Sequence, residues 1–405
     1  MSSSRETFTA LRYPNYRLWF WGQMVSLFGS WMQGTAQGYL MYQLTRSAAF
    51  LGYVGFASGV PTWLFMLYAG VVADRVSRRR LMIVTQTAMM ILAFVTAGLT
   101  FAQIIRPWHI IALAFGFGAA NAFDAPARQA IVQELVGAED MTNAIALNSA
   151  MFNTATALGP AVGGITYSLF GPAWCFVING LSFIAVIAAL AAMKLPRFTP
   201  RPTQNSVLAD LKEGLCYVAT HSLIRTIVSL VGVISLFGFA FATLVPAWAV
   251  KILHGNATTN GLLHATRGAG ALAAALLIAS LGRFRFRGKL ITIGSFGFPL
   301  LLIAFSFVRS QPLSYLVLFG VGFALILVFN LANATVQTLT PNGLRGRVMS
   351  IYSLTFFGSL PIGALAIGAV AARLGEPAAI VVNALITLAY AGIVFVFMPK
   401  LRRQE

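Results

Sequence analysis

Acidic residues are scarce in this chain, and charge of any kind is sparse. Only 10 of the 405 residues are Asp or Glu, and 9% are charged, against 58% hydrophobic. A soluble domain of this length cannot cover its surface with so few charges, so the expected class is a polytopic helical membrane protein. Cysteine is nearly absent. Cys175 falls in an apolar run and Cys216 in a polar stretch, which excludes a disulfide framework and a cysteine metal site. His109, His221, His254 and His264 show no ligand spacing, so no metal or other cofactor is expected. There is no phosphate-binding loop and no nucleophile beside a base. Gly268-Ala-Gly270 lies inside an apolar run and reads as packing. An enzyme is therefore not expected, and any work is driven by an ion or substrate gradient.

A membrane span needs roughly 20 apolar residues. Twelve runs qualify, at 18–44, 50–73, 81–104, 107–130, 140–168 and 172–193, then 223–250, 257–281, 289–308, 312–338, 347–372 and 377–398. The run after Met1–Arg17 is too long for a signal-peptide core and has no cleavage site, so it reads as retained. The net charge of +18 is scattered among short loops rather than gathered on one domain. That distribution argues against a nucleic-acid partner and for loops facing anionic lipid. Of the 28 Lys and Arg, 22 fall on one side of the spans. Five fall on the other (Arg46, Arg106, Lys251, Arg309 and Arg373), and Arg267 falls within a span. Cytoplasmic loops collect Lys and Arg, so both termini are expected inside.

The halves repeat each other. Gly52 and Gly261 are 209 residues apart, as are Asn121 and Asn330, Asp124 and Asn333, and Arg128 and Gln337; further on the shift is 204, for Gly159 and Gly363, Gly164 and Gly368, Gly171 and Gly375, and Asn179 and Asn383. The expected fold is all-α, with twelve transmembrane helices in two pseudo-symmetric six-helix bundles. The bundles span 1–194 and 223–405. A cytoplasmic linker, 195–222, joins them; it is stiffened at its start by Pro196, Pro200 and Pro202 and carries a candidate amphipathic helix from Asp210.

Between the second and third spans stands Gly70-Val-Val-Ala-Asp74-Arg75-Val-Ser-Arg78-Arg79-Arg80. So many charges cannot lie in hydrocarbon. The pattern G-x-x-x-D-R-x-x-R-R resembles the helix 2–3 signature of the major facilitator superfamily. The resemblance implies that Gly70 lets helices approach closely, and that Asp74 and Arg78, with Arg75 and Arg79 beside them, latch the two halves on the cytoplasmic side. In the fifth span, Gly159-Pro160-Ala-Val-Gly163-Gly164 resembles the core of the helix-5 motif of that superfamily's exporters. Arg12-Tyr-Pro-Asn-Tyr-Arg17 and Asp124-Ala-Pro-Ala-Arg128 are similar to the branch of enterobactin exporters and macrolide efflux pumps. The resemblance implies export of a small amphipathic, drug- or siderophore-like molecule from a bacterial inner membrane. Alternating access is the implied mechanism, proton antiport the superfamily's default coupling, and a monomer the expected state. Two features depart from the proton antiporters: Ile111–Gly118 lacks their mid-membrane arginine, and no acid lies mid-span in spans one, five, seven, eight, ten or eleven.

Asn121, Asp124 and Arg128 share one helical face near the inner end of their span. Asp124 reads either as a proton carrier or as part of the latch with Arg78 or Arg128. Arg267 lies ten residues into the eighth span, about 15 Å deep. A cation there needs a partner or a wet cavity. With His264 three residues earlier, it is a candidate contact for an anionic group of the substrate. Gln33, Gln37, Asn121, Asn330 and Asn333 complete the expected cavity. Other readings stay open: a lysophospholipid transporter of the same fold, an importer, and a receptor or scaffold that transports nothing.

Overall fold

The computed structural model describes residues 8–195, 207–281 and 286–402. Arg5, Arg197, Arg201, Arg283, Arg285 and the three linker prolines lie outside the described residues, as does the side chain of Asp74. Among the described residues there is no strand and no cis peptide. The first bundle holds α1 (Pro14–Thr45), α2 (Ala48–Arg75), α3 (Arg78–Phe101), α4 (Pro107–Leu135), α5 (Met141–Phe170) and α6 (Pro172–Ala192). A shorter helix, α7 (Val207–Thr220), precedes the second bundle. That bundle holds α8 (Ser222–Ile252), α9 (Ala257–Leu281), α10 (Arg287–Phe307), α11 (Gln311–Leu339), α12 (Arg345–Leu374) and α13 (Glu376–Phe397). The one-turn α14 (Pro399–Arg402) closes the described chain. The twelve long helices match the twelve expected spans.

Among the described residues, ten of these helices are long and apolar enough to cross a membrane. The other two, α1 and α5, are 32 and 30 residues long and are interrupted by amides and hydroxyls such as Gln23, Gln33, Gln37, Asn148 and Asn153. Gln23 and Gln33 of α1 are buried, Gln37 lines a cavity between the bundles, and Asn148 of α5 accepts from the Tyr16 hydroxyl at 3.0 Å, so these amides face protein and cavity. The turns repeat too. Gly171 and Gly375, 204 apart, end α5 and α12 with φ of 90° and 84°, a conformation that favours glycine, and each is followed by a helix with proline in its first turn.

One end of the molecule carries both ends of the described chain. There Ala10 N–H donates to Asn143 Oδ1 (3.0 Å), Arg12 meets Asp140 (3.4 Å), and Asn15 Nδ2 donates to the Lys194 carbonyl (2.9 Å). The linker helix α7 docks on α12. Arg347 pairs with Asp210 and Glu213, both at 2.8 Å, and Gly214 lies against the Arg347 carbonyl. All five basic residues expected on the other side sit at the far-end turns; there Lys251 also meets buried Glu376 at 2.9 Å.

The bundles touch through two crossings related by the repeat. In one, α2 meets α12: a Cβ on Gly52 would stand 2.8 Å from the Ala364 carbonyl, and one on Gly368 would stand 2.9 Å from the Ala48 carbonyl. In the other, α9 meets α5: Gly261 packs on the Pro160 carbonyl, and a Cβ on Gly164 would stand 2.5 Å from the Ala257 carbonyl. Small residues let the backbones come this close. Thr258 adds a bond to Ser168 (2.8 Å) across the second crossing. Further toward the chain ends the same faces part. Ala146, Ala150, Ser350 and Phe357 are exposed, and among the described residues nothing lies within 4 Å of a Cβ on Gly70. The bundles are thus closed at the far end and splayed at the basic end.

Gly164→Ala and Gly368→Ala place a methyl against backbone. Each is expected to lower stability in detergent by about 1–3 kcal/mol. Gly392→Ala, with nothing within 4 Å, is expected to leave it unchanged or raise it by up to ~1 kcal/mol. Thermal unfolding of the three variants checks the contrast.

Candidate functional site: a polar cavity between the bundles

A cavity of about 280 Å³ lies between the bundles. The first bundle lines it with Ser30, Gln33, Thr35 and Gln37 of α1, Ser58 of α2 and Phe117 of α4. The second bundle supplies Ala242, Thr243 and Pro246 of α8 and His264 of α9. Among the described residues that line it, His264 is the one titratable side chain and none is a carboxylate. Gln33 is held in place. Gln33 Oε1 accepts from Asn179 Nδ2 at 2.7 Å, and Asn179 is fully buried. Asn260 of α9 reaches the Thr35 carbonyl of α1 (3.5 Å), a second polar tie between the bundles.

The α8 wall is not regular α-helix. It runs as π-helix (Ile234–Gly238), 3₁₀ (Phe239–Leu244), one α-turn (Val245–Ala247) and π-helix again (Trp248–Ile252). Pro246 brings no N–H to the ladder. Asn383 of α13 donates to the Phe237 carbonyl (3.2 Å), capping an acceptor in the first irregular turn. Such departures inside helices cluster at functional sites.

Arg267 does not line the cavity. It is 8% exposed, lies over the Phe239 ring at 5.0 Å, and its Nη1 has no hydrogen-bond partner. His264, one turn earlier, faces the cavity. Arg267 is therefore a buried cation stacked against the irregular α8. Asn121, Asn330 and Asn333 are not lining residues either. Asn121 and Asn330 are exposed, and Asn333 bonds Gln337 of its own helix at 2.6 Å.

The basic turn is tied within the first bundle. Arg78 meets Glu134 (2.6 Å) and the Ala130 carbonyl (3.4 Å) of α4; Arg79 donates to the Ala191 carbonyl of α6 (2.6 Å); Arg75 is exposed. Asp124 is 1% exposed. Its Oδ1 accepts from Thr85 Oγ1 (2.9 Å) and Gln86 Nε2 (3.0 Å) of α3, and its Oδ2 lies 3.7 Å from Arg128 Nε. None of these described contacts crosses to the second bundle. The α5 motif divides its work: Gly159 packs on Trp31 and Gly163 on Met32, both of α1, while Pro160 and Gly164 make the crossing to α9.

The sequence profile of a family described as transmembrane secretion effector matches residues 5–405. The chain belongs to this family of the major facilitator superfamily. Members similar to it include the multidrug efflux pump Tap of Mycolicibacterium fortuitum (26% identity; 91% of each chain). Another is the enterobactin exporter EntS of Citrobacter koseri (23%; 96% of this chain, 93% of that one). Among solved structures, the inward-facing, unoccupied bacterial homologue of the lysosomal transporter Spinster aligns with a TM-score of 0.74 at 14% identity, over 96% and 98% of the two chains. That likeness bears on the fold.

Two expectations for this superfamily member are corrected. The first is the register of the repeat. Gly118 packs on the Ser58 carbonyl as Gly322 packs on that of Arg267, and a Cβ on Gly116 would meet Leu92 at 3.3 Å as one on Gly320 meets Leu301 at 3.1 Å. Thus α4 and α11 already differ by 204, and the missing five residues lie before them, in a shorter α10 and its following turn. The counterparts of Asp124 and Arg128 are Val328 and Ala332, not Asn333 and Gln337, and that of Asn121 is Leu325, not Asn330. The second concerns depth. Because α4 runs on through Gln129–Leu135, Asp124 lies eleven residues, about 16 Å, from its end rather than one turn. Pro126 is inside the helix and does not end it.

Thr85, Gln86, Glu134, Asn179 and Asn383 were not among the expected site residues. Asn179 and Asn383 carried a signal, being polar, embedded in apolar runs and related by the repeat. Asn383→Leu leaves the Phe237 carbonyl without its donor and is expected to cost about 1–3 kcal/mol. Urea-dependent unfolding of α8 followed by hydrogen exchange checks this.

Proposed function

We propose that the chain is an exporter of small amphipathic molecules that works by alternating access. The observation that carries this reading is the cavity itself. It lies where the two bundles meet, is closed behind by the glycine crossings, and is lined by amides and hydroxyls on one side and an apolar, irregular helix on the other. A mixed surface of this kind suits a ligand with both apolar area and a few polar groups. The names of Tap and EntS, a multidrug efflux pump and an enterobactin exporter, favour export. The basic end is the cytoplasmic end by its excess of Lys and Arg, so both termini are inside and the splayed side faces the cytoplasm of a bacterial inner membrane. There is no ATP-binding motif in the sequence, and protons are the proposed counter-ion.

The cargo is anionic in this reading. Arg267 places a positive charge one turn behind the His264 wall, and the cavity lining offers no carboxylate to offset it. The turn at Gly70–Arg79 acts in the other half of the cycle. Gly70 is free in this conformation, and closure of the basic end brings the second bundle toward it and toward Asp74 and Arg78.

The test is dye accumulation in cells stripped of their major efflux pumps, using anionic, neutral and cationic amphipathic dyes. Wild-type chain is expected to deplete the anionic dyes. Arg267→Ala is expected to weaken that depletion about tenfold, the equivalent of ~1.4 kcal/mol, and Arg267→Lys to retain part of it. Equal handling of all dyes by Arg267→Ala and wild type contradicts the anionic cargo. Competition by lysophospholipid alone, with no dye affected, favours a lipid transporter.

A further inference from the structure

The Asp124 cluster is not explained by the cavity or by packing. The repeat supplies the comparison. Thr85 corresponds to Gly294 and Asp124 to Val328, and in the second bundle a Cβ on Gly294 would meet Val328 at 2.6 Å. The same helix crossing is therefore made in the second bundle by a valine on a glycine. The fold does not need a carboxylate, two polar partners and an arginine at this point, yet the first bundle has them: Asp124, Thr85, Gln86 and Arg128.

The geometry leaves one oxygen unfilled. Asp124 Oδ1 has two donors, whereas Oδ2 has none and stands 3.7 Å from Arg128, too far for a hydrogen bond. Gln86 Oε1, in the same cluster, also lacks a donor. Asp124 is also the most deeply placed acid in any described long helix. The others in such helices, Asp74, Glu134 and Glu376, stand within one residue of a helix end. Along α4, residues 114, 117, 121, 124 and 128 form one stripe. Ala114 and Phe117 line the cavity, Asn121 is exposed, and the Arg128 side chain is about a quarter exposed at 26%. The acid therefore sits between the cavity and the basic end.

We propose that Asp124 is the proton-binding residue of the transport cycle, with Arg128 as the cation it releases on protonation. This rests on the proton-exchange reading above. With the far end open, a proton from that side bonds to Oδ2. The carboxylate becomes a neutral carboxyl, and Arg128 turns away from it to solvent. With the basic end open, the O–H bond breaks, the proton leaves past Arg128, and the ion pair re-forms. No other species is consumed. The surroundings supply few competing charges. α3 presents Thr85 and Gln86, and its Arg78 is held by Glu134. α1 carries no charge between Arg17 and Arg46, and α6 carries none. On α2, Arg75 is exposed, and the side chain of Asp74 lies outside the described residues.

The test measures the distance between spin labels at Tyr68→Cys on α2 and Ser350→Cys on α12, with Cys216→Ser, in lipid from acid to alkaline pH. Both positions are exposed at the basic end of opposite bundles. With Asp124 intact, the open-to-closed ratio is expected to shift by up to about tenfold per pH unit, the slope of one proton. Asp124→Asn is expected to abolish the shift, and Asp124→Glu to keep it with a moved midpoint. The triple variant Thr85→Gly, Gln86→Ser, Asp124→Val copies the α10–α11 crossing, so it is expected to fold and to show no shift. A full shift in Asp124→Asn or in the triple variant overturns the assignment while leaving proton exchange standing. No shift with Asp124 intact overturns proton exchange itself, and the assignment with it.

Discussion

Two backbone-to-backbone crossings organise this molecule. At Gly52–Gly368 and at Gly164–Gly261 there is no side chain to separate helices of opposite bundles. In lipid, where apolar surface gains little by leaving its surroundings, close van der Waals contact between backbones is a principal source of helix association. The bundles therefore meet along these two crossings, which run from the far end to about mid-helix at Gly59–Pro361 and Gly268–Thr156, with the Asn260–Thr35 bond between them. Contacts of this kind are smooth and can be left and regained. Each bundle has its own dense core, one around Trp19, Met82 and Phe183, the other around Trp248, Phe298 and Phe305. Motion between rigid bundles is the natural consequence, and the cavity lies where that motion is felt.

The repeat supplies the scaffold, and its breaks coincide with the chemistry. Where α10 packs a glycine on a valine of α11, α3 and α4 enclose a carboxylate. Where α1 is a continuous helix, its counterpart α8 passes through π and 3₁₀ turns and needs Asn383 to satisfy a carbonyl. Where α2 has Ser58, α9 has Arg267. A scaffold that worked by symmetry alone would need none of these.

Much of the architecture was legible in the sequence. Span number and the existence of a two-fold repeat follow from apolar run lengths, charge placement and glycine spacing, because lipid leaves few alternatives to long helices. The α5 motif was legible as close packing, but not its division between α1 and α9, since adjacent glycines on a helix point different ways. The register of α4 against α11 was misread because amide stripes look alike. Asn121 and Asn330 matched in residue type, while Gly118 and Gly322 matched in what they touch. The depth of Asp124 was misread because a proline and an arginine resemble a helix end, and only the continuing ladder shows otherwise. Arg267 was legible as anomalous, but its ring partner Phe239 depends on the irregular path of α8, which Gly238 and Pro246 hint at without specifying.

The central claim is that the bundles part at the far end during transport. Ser168 and Thr258 face each other across the α5–α9 crossing with their hydroxyl oxygens 2.8 Å apart. The decisive measurement is dye efflux by the Ser168→Cys, Thr258→Cys protein in a Cys216→Ser background, oxidised and then reduced. If the crossing must open in every cycle, the disulfide stops efflux and reductant restores it. Undiminished efflux by the fully cross-linked protein contradicts the account.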